Sequence, residues 1–303
     1  MRPKKQEMTK EADLFRARLD QINNMKHELV QLAGNVDRAW IDDEMAPLYS
    51  DKGRPGIASR FVIGLLLLKH MFGPSDEGVC ERWVYDPYFQ HFTGEEFFQH
   101  TFPHERSDLS HWRRRLGDKL DLLLAESLRV AHESGALRTR DLARVTVDTT
   151  NACSPGGQFV LHADALPGSP YDGHTLRAAI EDTQRLIGRQ IERVYVDKGY
   201  RGHDAPRPRS VFISGQKRGV FGAIKRQLRR RSAAEPLIGH MKEQGHLGRC
   251  YLKRHAGDAA NANLTAAGYN FRRILAWLRI FLHIILAALT TDPKRQPTLN
   301  PAS

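Results

Sequence analysis

Residues 144–150 read RVTVDTT, and at this stretch the character of the chain changes. The β-branched residues before Asp148 predict a strand, and the acid and hydroxyls after them are typical of a strand's end. Upstream, from about Asp13 to Glu133, apolar residues recur at helical spacing. Downstream, VYVDKGYRG at residues 194–202 predicts another strand that ends in an acid, Asp197. We expect an α-helical N-terminal domain at residues 1–140, an α/β domain at 141–290 and a polar tail at 291–303.

Between these two strands the sequence predicts a further strand and a helix. GGQFVLHADALPG at residues 156–168 alternates like a strand, and HTLRAAIEDTQRLIG at 174–188 has the pattern of an amphipathic helix. A strand, a helix and a strand in this order predict parallel strands joined by a right-handed crossover.

The composition favours a partner with many negative charges. The 303 residues carry a formal net charge of +11 and a sequence pI near 9.7, which favours nucleic acid first and an acidic membrane surface second. The three cysteines lie far apart, which is typical of a reducing compartment. The apolar residues 274–289 approach the length of a membrane span, but Arg279 and His283 interrupt them. We therefore expect a buried core helix there, no membrane partner and a cytoplasmic protein.

The two acids at matched strand ends are candidate metal ligands. Ligands of open α/β sheets collect at the carboxyl ends of the strands, so Asp148 and Asp197 converge if their strands are neighbours. Two close carboxylates repel each other unless a cation lies between them. Mg²⁺ suits such a site because it prefers oxygen ligands. The alternative is that each aspartate only favours the turn that ends its strand.

A third acid lies within a basic segment. Residues 229–242 read RRRSAAEPLIGHMK, and between residues 217 and 231 there are seven basic residues and no acid. Such cations contact DNA phosphates, although a basic run is often only a solvated face. Glu235 is a candidate metal ligand, or it forms a capping box with Ser232. Arg231, Glu235 and Lys242 share one face if this segment is a single helix, which Pro236 opposes.

At this point the sequence resembles the DDE transposases of bacterial insertion sequences, and more narrowly the group with a Y-R-E-K signature. Its R-x3-E-x6-K portion is present as Arg231, Glu235 and Lys242, whereas the tyrosine position is Leu228. VTVDTT and VYVDKGYRGHDAP resemble the strands of the first and second acids. GGQFVLHADALPGSPYDGHT, SGQKR and AAGYNFRRIL also resemble stretches of this group, and DKGRPG, CERWVYDPYFQHFTGE and SDLSHWRRRLG resemble its helical leader domain.

This resemblance implies an RNase H-like catalytic fold in which Asp148, Asp197 and Glu235 hold two Mg²⁺ ions, with Mn²⁺ as a substitute. It implies cleavage and strand transfer of double-stranded DNA at terminal inverted repeats and in target DNA, self-association in a synaptic complex, and a place at the nucleoid. Arg231 and Lys242 would contact DNA near the scissile phosphate. Further DNA-binding candidates are Lys225, Arg226, Arg229, Arg230, Arg113, Arg114 and Arg115.

One departure from the family concerns the segment after the first acid. Only TTNACSP separates the Asp148 strand from GGQFVLHADALPG, where family members carry a longer segment with a further strand. The sequence therefore predicts an internal deletion between about residues 150 and 157, and a sheet that lacks one inner strand. Two further hypotheses stay open at this point: a catalytically inactive remnant that still binds DNA, and a standalone nuclease.

Overall fold

The N-terminal half of the protein is built from helices. The structure, a computed structural model, describes residues 17–50, 56–148, 151–154, 158–166, 168, 170–205, 210–231, 234–248 and 254–290. Before the first strand these residues form the helices α1 Leu19–Ile22, α2 Glu28–Asn35, α3 Arg38–Met45, α4 Ser59–Phe72, α5 Asp76–Tyr85, α6 Pro87–Thr93, α7 Asp108–Leu116, α8 Asp121–Glu133 and α9 Thr139–Leu142. The helical pattern of the sequence is confirmed in this region.

Helix α4 forms the centre of the helical region. Its apolar run Phe61–Leu68 is buried on every side, which explains why this helix has no polar face. It ends at Gly73, whose φ of 76° is the left-handed conformation that glycine adopts without strain. Residues of α4 belong to the same hydrophobic cluster as Val145 and Phe271, so one continuous core joins the helical region to the later elements.

The remainder of the chain contains a five-stranded mixed sheet and four more helices in the described residues. The strands are β1 Arg144–Asp148, β2 Asn151–Cys153, β3 Val160–Ala163, β4 Arg193–Val196 and β5 Ser210–Ile213, and the helices are α10 Leu176–Ile187, α11 Gly222–Arg230, α12 Ala234–Glu243 and α13 Arg254–Thr290. The strand order is β3-β2-β1-β4-β5. The pairs β1–β2 and β2–β3 are antiparallel, whereas β1–β4 and β4–β5 are parallel. This arrangement confirms a mixed α/β architecture.

The expectation that the sheet lacks an inner strand is wrong for the described residues. Residues 151–153 form β2, which pairs with β1 through Thr146↔Cys153 and with β3 through Cys153↔Val160. Two residues are enough to connect β1 to an antiparallel neighbour, so even this short segment supplies the strand. Its pairing is irregular, because the register shifts between Ala152 and Cys153. The DKGRPG turn falls largely outside the described residues.

The last described helix corrects the prediction for the apolar residues 274–289. Ile274 and Leu278 are buried, but Ile280, Phe281 and Ile284 are more than half exposed, so the helix leaves the core towards its end. Within the described ranges, every helix is too short or too polar to cross a membrane. Upstream, α13 packs against α4 and α8. There Gly268 lies directly against the backbone of His70, where a larger side chain would not fit.

Candidate active site

Asp148 and Asp197 lie at the same edge of the sheet. Strands β1 and β4 are parallel neighbours in the register Val145↔Val194 and Thr146↔Tyr195. Two positions after the latter pair, β1 ends with Asp148 and Asp197 follows β4. The sequence predicted that Asp148 and Asp197 converge if their strands are neighbours, and the strands are neighbours. Both carboxylates lie at the edge where α/β sheets bind ligands.

Glu235 reaches this edge from a different element. It lies in the first turn of α12, whereas Arg231 follows the last residue of α11. The two residues therefore do not share one helix, because Pro236 has no N–H group and its ring obstructs helical backbone before it. Arg231 nevertheless joins the acids, since its Nη2 atom lies 3.4 Å from Asp197 Oδ1 and 3.9 Å from Glu235 Oε1. Ser232, the partner of Glu235 in the alternative capping box, falls outside the described residues.

The electrostatics of Asp148 show that four acids belong to this cluster. Burial raises the pKa of the half-buried Asp148 carboxyl above its ordinary value. The positive charge of Arg231 lowers that pKa. The negative charges of Asp197, Asp172 and Glu235 raise it further. We refer to these four acids as the acid cluster, and Arg231 is the cation among them.

Asp172 is the member of the acid cluster that sequence reasoning missed. It lies in the loop before α10, in the stretch PYDGHT, and approaches the turn that follows Asp197. A Cβ atom on Gly199 would stand 2.9 Å from the Asp172 carboxylate, so the glycine allows this close approach. Gly199, two positions after Asp197, was the only local signal that another group packs closely there. Nothing in the local sequence identifies that group as Asp172.

The acid cluster supplies ligands of the kind that Mg²⁺ prefers, because all its donors are carboxylate oxygens. Their mutual repulsion, seen in the pKa of Asp148, is what a divalent cation would relieve. Among the residues that the structure describes, however, no three acidic, histidine or cysteine side chains already form a group able to hold a metal ion. The carboxylates are therefore the right type of ligand for a divalent ion. In this structure, however, Arg231 contacts two of them, Asp197 and Glu235.

Exposed basic residues lie on α11 and α12, the two helices whose junction reaches this edge. Helix α11 buries none of its side chains, and Lys225, Arg226, Arg229 and Arg230 are all exposed along it. Lys242 is exposed on α12, on the same element as Glu235. Helix α11 contains no acid, so its field is uniformly positive beside the acid cluster.

The three consecutive arginines of α7 occupy three different environments. Arg113 is only 5% exposed, and its guanidinium donates to the Asp76 carboxylate at 2.7 and 3.3 Å. Arg114 is exposed. Arg115 donates to the Leu48 carbonyl, and its guanidinium lies 5.0 Å from the centre of the Trp112 ring. Since Arg113 already neutralises an internal carboxylate, Arg114 is the arginine of this group that is most open to a partner in solution.

Comparison with known proteins decides the family. Residues 17–115 match the protein family described as "Transposase domain (DUF772)". The "Uncharacterized protein ORF8 in nfe locus" of Rhizobium meliloti is 46% identical over 151 residues, which cover 50% of this chain and 72% of that protein. In residues 17–115 the chain belongs to this transposase-domain family. No solved structure matches this transposase-family protein.

The family match and the acid cluster lie in different parts of this transposase-family chain. Residues 17–115 extend from just before α1 almost to the end of α7, so they include Arg113–Arg115 and end before β1. The family assignment therefore rests on the helical region, and the relative is aligned over only half of the chain. The function considered for the acid cluster rests on the geometry of the cluster itself.

Proposed function

We propose that this protein is a DDE transposase, which cleaves DNA strands and transfers them at the terminal repeats of an insertion sequence. In this proposal Asp148, Asp197 and Glu235 hold two Mg²⁺ ions on an RNase H-like sheet. The observation that carries it is the parallel pairing of β1 and β4, which brings two acids to one sheet edge where Glu235 approaches through Arg231. The strand order with β1 at the centre and two parallel strands on one side supports the same fold.

The carboxylates suit phosphodiester chemistry because divalent ions bound in such sites activate the attacking oxygen and stabilise the leaving oxygen. The chain's own residues supply the charge that brings DNA to this edge. Lys225, Arg226, Arg229 and Arg230 attract phosphates without reading sequence, and Lys242 extends this positive field along α12. Asp197 and Glu235 are 49% and 67% exposed, so a DNA strand can reach them.

Arg231 contacts two acids of the acid cluster. Its side chain is 12% exposed and lies between Asp197 and Glu235, so it occupies space that a shared cation would need. We propose that Arg231 holds the acids together before metal and DNA bind, and turns to a phosphate near the scissile bond afterwards. Recognition of two DNA ends would further require that two copies of the chain associate.

The test measures Mg²⁺-dependent nicking of labelled duplex DNA that carries the sequences flanking this protein's gene, with binding followed by gel shift in the same samples. Variants Asp148→Ala, Asp197→Ala and Glu235→Ala are compared with the wild type. Glu181→Ala serves as a control, because Glu181 is an exposed acid on α10 away from the acid cluster. We expect cleavage by the wild type and the control alone, at a rate at least about 100-fold above that of the three variants.

The same experiment separates the remnant hypothesis from the enzyme. DNA binding without cleavage by the wild type, in either Mg²⁺ or Mn²⁺, would identify a DNA-binding remnant in which the acid cluster has no catalytic role. Cleavage that survives in Asp197→Ala would show that another site performs the reaction.

A further inference from the structure

A cleft of about 420 Å³ lies at the opposite end of β1 from the acid cluster. Its walls come from the α8–α9 connection, the starts of β1 and β3, the end of α11 and the middle of α13. Four arginines line it together with a single acid, Asp141, and an aromatic ring, Trp277. We call it the arginine cleft, and its cations are Arg138, Arg140, Arg144 and Arg230.

Three arginines of this cleft, Arg138, Arg140 and Arg230, are exposed and Arg144 is half-buried, and their surroundings differ from those of the paired arginines Arg113 and Arg129. Arg113 and Arg129 each pair with carboxylates, at 2.7 Å from Asp76 and 2.7 Å from Glu126. In the part of the chain that the structure describes, by contrast, none of the four cleft arginines forms an ion pair. Several like charges around one concave surface repel each other and concentrate positive potential there, which an anionic ligand would relieve.

In this cleft a hydrogen bond fixes the side chain of Trp277, whereas the side chain of Arg144 is held only weakly. Trp277 donates its indole N–H to the Ser134 carbonyl at 3.1 Å, so the ring forms a stable wall and remains 37% exposed. The guanidinium of Arg144 reaches the Arg140 carbonyl at 3.4 Å, near the limit of a hydrogen bond, and its other donors form no hydrogen bond with the residues that the structure describes. Arginine suits phosphate because it presents several N–H donors in one plane.

The arginine cleft and the acid cluster lie at the two ends of the same strand, β1. Arg144 is the first residue of β1 and Asp148 the last, which places the two ends of the strand roughly 13 Å apart at 3.3 Å per residue. That separation equals about four base pairs along the axis of a DNA duplex. Arg230 lines the cleft and its neighbour in sequence, Arg231, contacts Asp197, so the end of α11 connects the two places.

We propose that the arginine cleft is a second phosphate-binding site for DNA, which holds the duplex backbone about four base pairs from the acid cluster. This inference rests on the proposed function, because it assumes that DNA is the polyanion that reaches the acid cluster. The cleft would position the duplex without reading its sequence, since phosphate contacts fix register and base contacts specify. Its members Arg138, Arg140 and Arg144 belong to none of the basic segments that the sequence singled out.

The experiment measures how DNA affinity depends on salt. The double variant Arg140→Gln/Arg144→Gln is compared with the wild type by fluorescence anisotropy of a labelled duplex over a series of salt concentrations. The matched control is Arg177→Gln/Arg189→Gln, which removes two exposed charges from the α10 side of the protein. Each lost phosphate contact lowers the slope of log K against log salt by about 0.9, so we expect a decrease of about 2 in the cleft variant and none in the control.

A second variant distinguishes the loss of charge from a general effect of substitution on folding. Arg140→Lys/Arg144→Lys retains both charges, and we expect it to restore most of the wild-type slope. An unchanged slope in the glutamine variant, or an equal loss in the control, would overturn the inference. A loss confined to a single-stranded probe would overturn the duplex assignment and show that the cleft binds unpaired DNA beside Trp277.

Nicking measured in parallel separates this inference from the proposed function. If the slope changes in the cleft variant while Asp197→Ala still cleaves DNA, the cleft is a DNA site and the proposed catalytic role is wrong. If Asp197→Ala is inactive and the slope is unchanged in the cleft variant, the catalytic role stands and the cleft does not bind DNA. Absence of salt-dependent binding by the wild type would overturn both.

Discussion

The guanidinium of Arg231 lies 3.4 Å from the carboxylate of Asp197 and is four times less exposed than that carboxylate, at 12% against 49%. Glu235 approaches the same nitrogen at 3.9 Å from a separate helix. One arginine therefore holds together acids that arrive from β4 and α12. Because an opposite charge stabilises the ionised form of a carboxyl, the charge of Arg231 opposes the rise that burial causes in the pKa of Asp148.

Replacing Arg231 by glutamine tests this role directly. The positive charge of Arg231 lowers the pKa of Asp148, so we expect that pKa to rise in Arg231→Gln. The shift is measured by NMR titration of the aspartate carboxyl carbons. Arg226→Gln is the control, because Arg226 is exposed on α11 and is not among the charges that act on Asp148. An identical Asp148 titration in wild type and Arg231→Gln would contradict the electrostatic account.

The sequence predicted the parts of the site that local patterns encode. β-branched residues followed by an acid identified β1 and β4. The predicted crossover helix α10 joins β3 to β4, but these strands are not a neighbouring pair, because β2 and β1 lie between them. The spacing of Arg231 and Glu235 correctly associated the two residues, although they lie at the junction of two helices and not on one.

Other parts of the fold depend on contacts that a single sequence does not display. β2 is three residues long and reads Asn-Ala-Cys, so it has no β-branched residue and too little length for an alternating pattern. It forms because β1 and β3 offer hydrogen-bonding partners on both sides. The sequence reading also missed β5, Ser210–Ile213, a four-residue strand that lies just before the basic run of residues 217–231 and pairs with β4. Asp172 joins the acid cluster only through the tertiary approach of its loop to Gly199.

The ion pair between Arg113 and Asp76 makes a prediction about stability. Arg113 is almost fully buried, and Asp76 is the carboxylate that both it and Lys69 contact. Asp76→Asn would leave a buried guanidinium without its counter-charge, and we expect the free energy of unfolding to fall by about 3 kcal/mol. Urea denaturation measures this loss.

The matched control for that prediction is an exposed pair. Arg106 and Glu81 lie 3.2 Å apart with more than half of each side chain in solvent, so we expect Glu81→Gln to change stability by less than about 1 kcal/mol. Equal effects of the two substitutions would show that Asp76 does not compensate a buried charge.

The crossing of α4 and α13 predicts different effects for two helical glycines. An alanine Cβ at Gly268 would stand 2.6–2.7 Å from the Cβ and backbone atoms of His70, which are held by the core. We expect Gly268→Ala to lower the free energy of unfolding by about 1–3 kcal/mol, as overpacking commonly does. Gly239 in α12 has no atom within 4 Å of the same position, so Gly239→Ala should be neutral or stabilise by up to about 1 kcal/mol. Thermal denaturation compares the two, and a neutral Gly268→Ala would show that the helices can separate at no cost.

His70 makes the stability of the protein depend on pH. Burial, with a smaller effect from the positive charges of Lys69 and Arg113, lowers the pKa of His70 to about 3. In the unfolded chain this group takes up its proton near pH 6.5, so the unfolded state binds more protons than the folded state between these two values. The contribution of His70 to stability is therefore complete above about pH 6.5 and is lost progressively as the pH falls towards 3.

This dependence is measured as the difference in the free energy of unfolding between pH 7 and pH 5. His70 alone should account for about 2 kcal/mol of the loss, since one proton contributes about 1.4 kcal/mol per pH unit. We expect His70→Gln to lose that much less stability over the same interval, whatever its stability at pH 7. His111→Gln, which replaces an exposed histidine of α7, should keep the wild-type dependence. If His70→Gln and the wild type lose equal stability on acidification, then His70 takes up its proton in the folded protein as readily as in the unfolded chain.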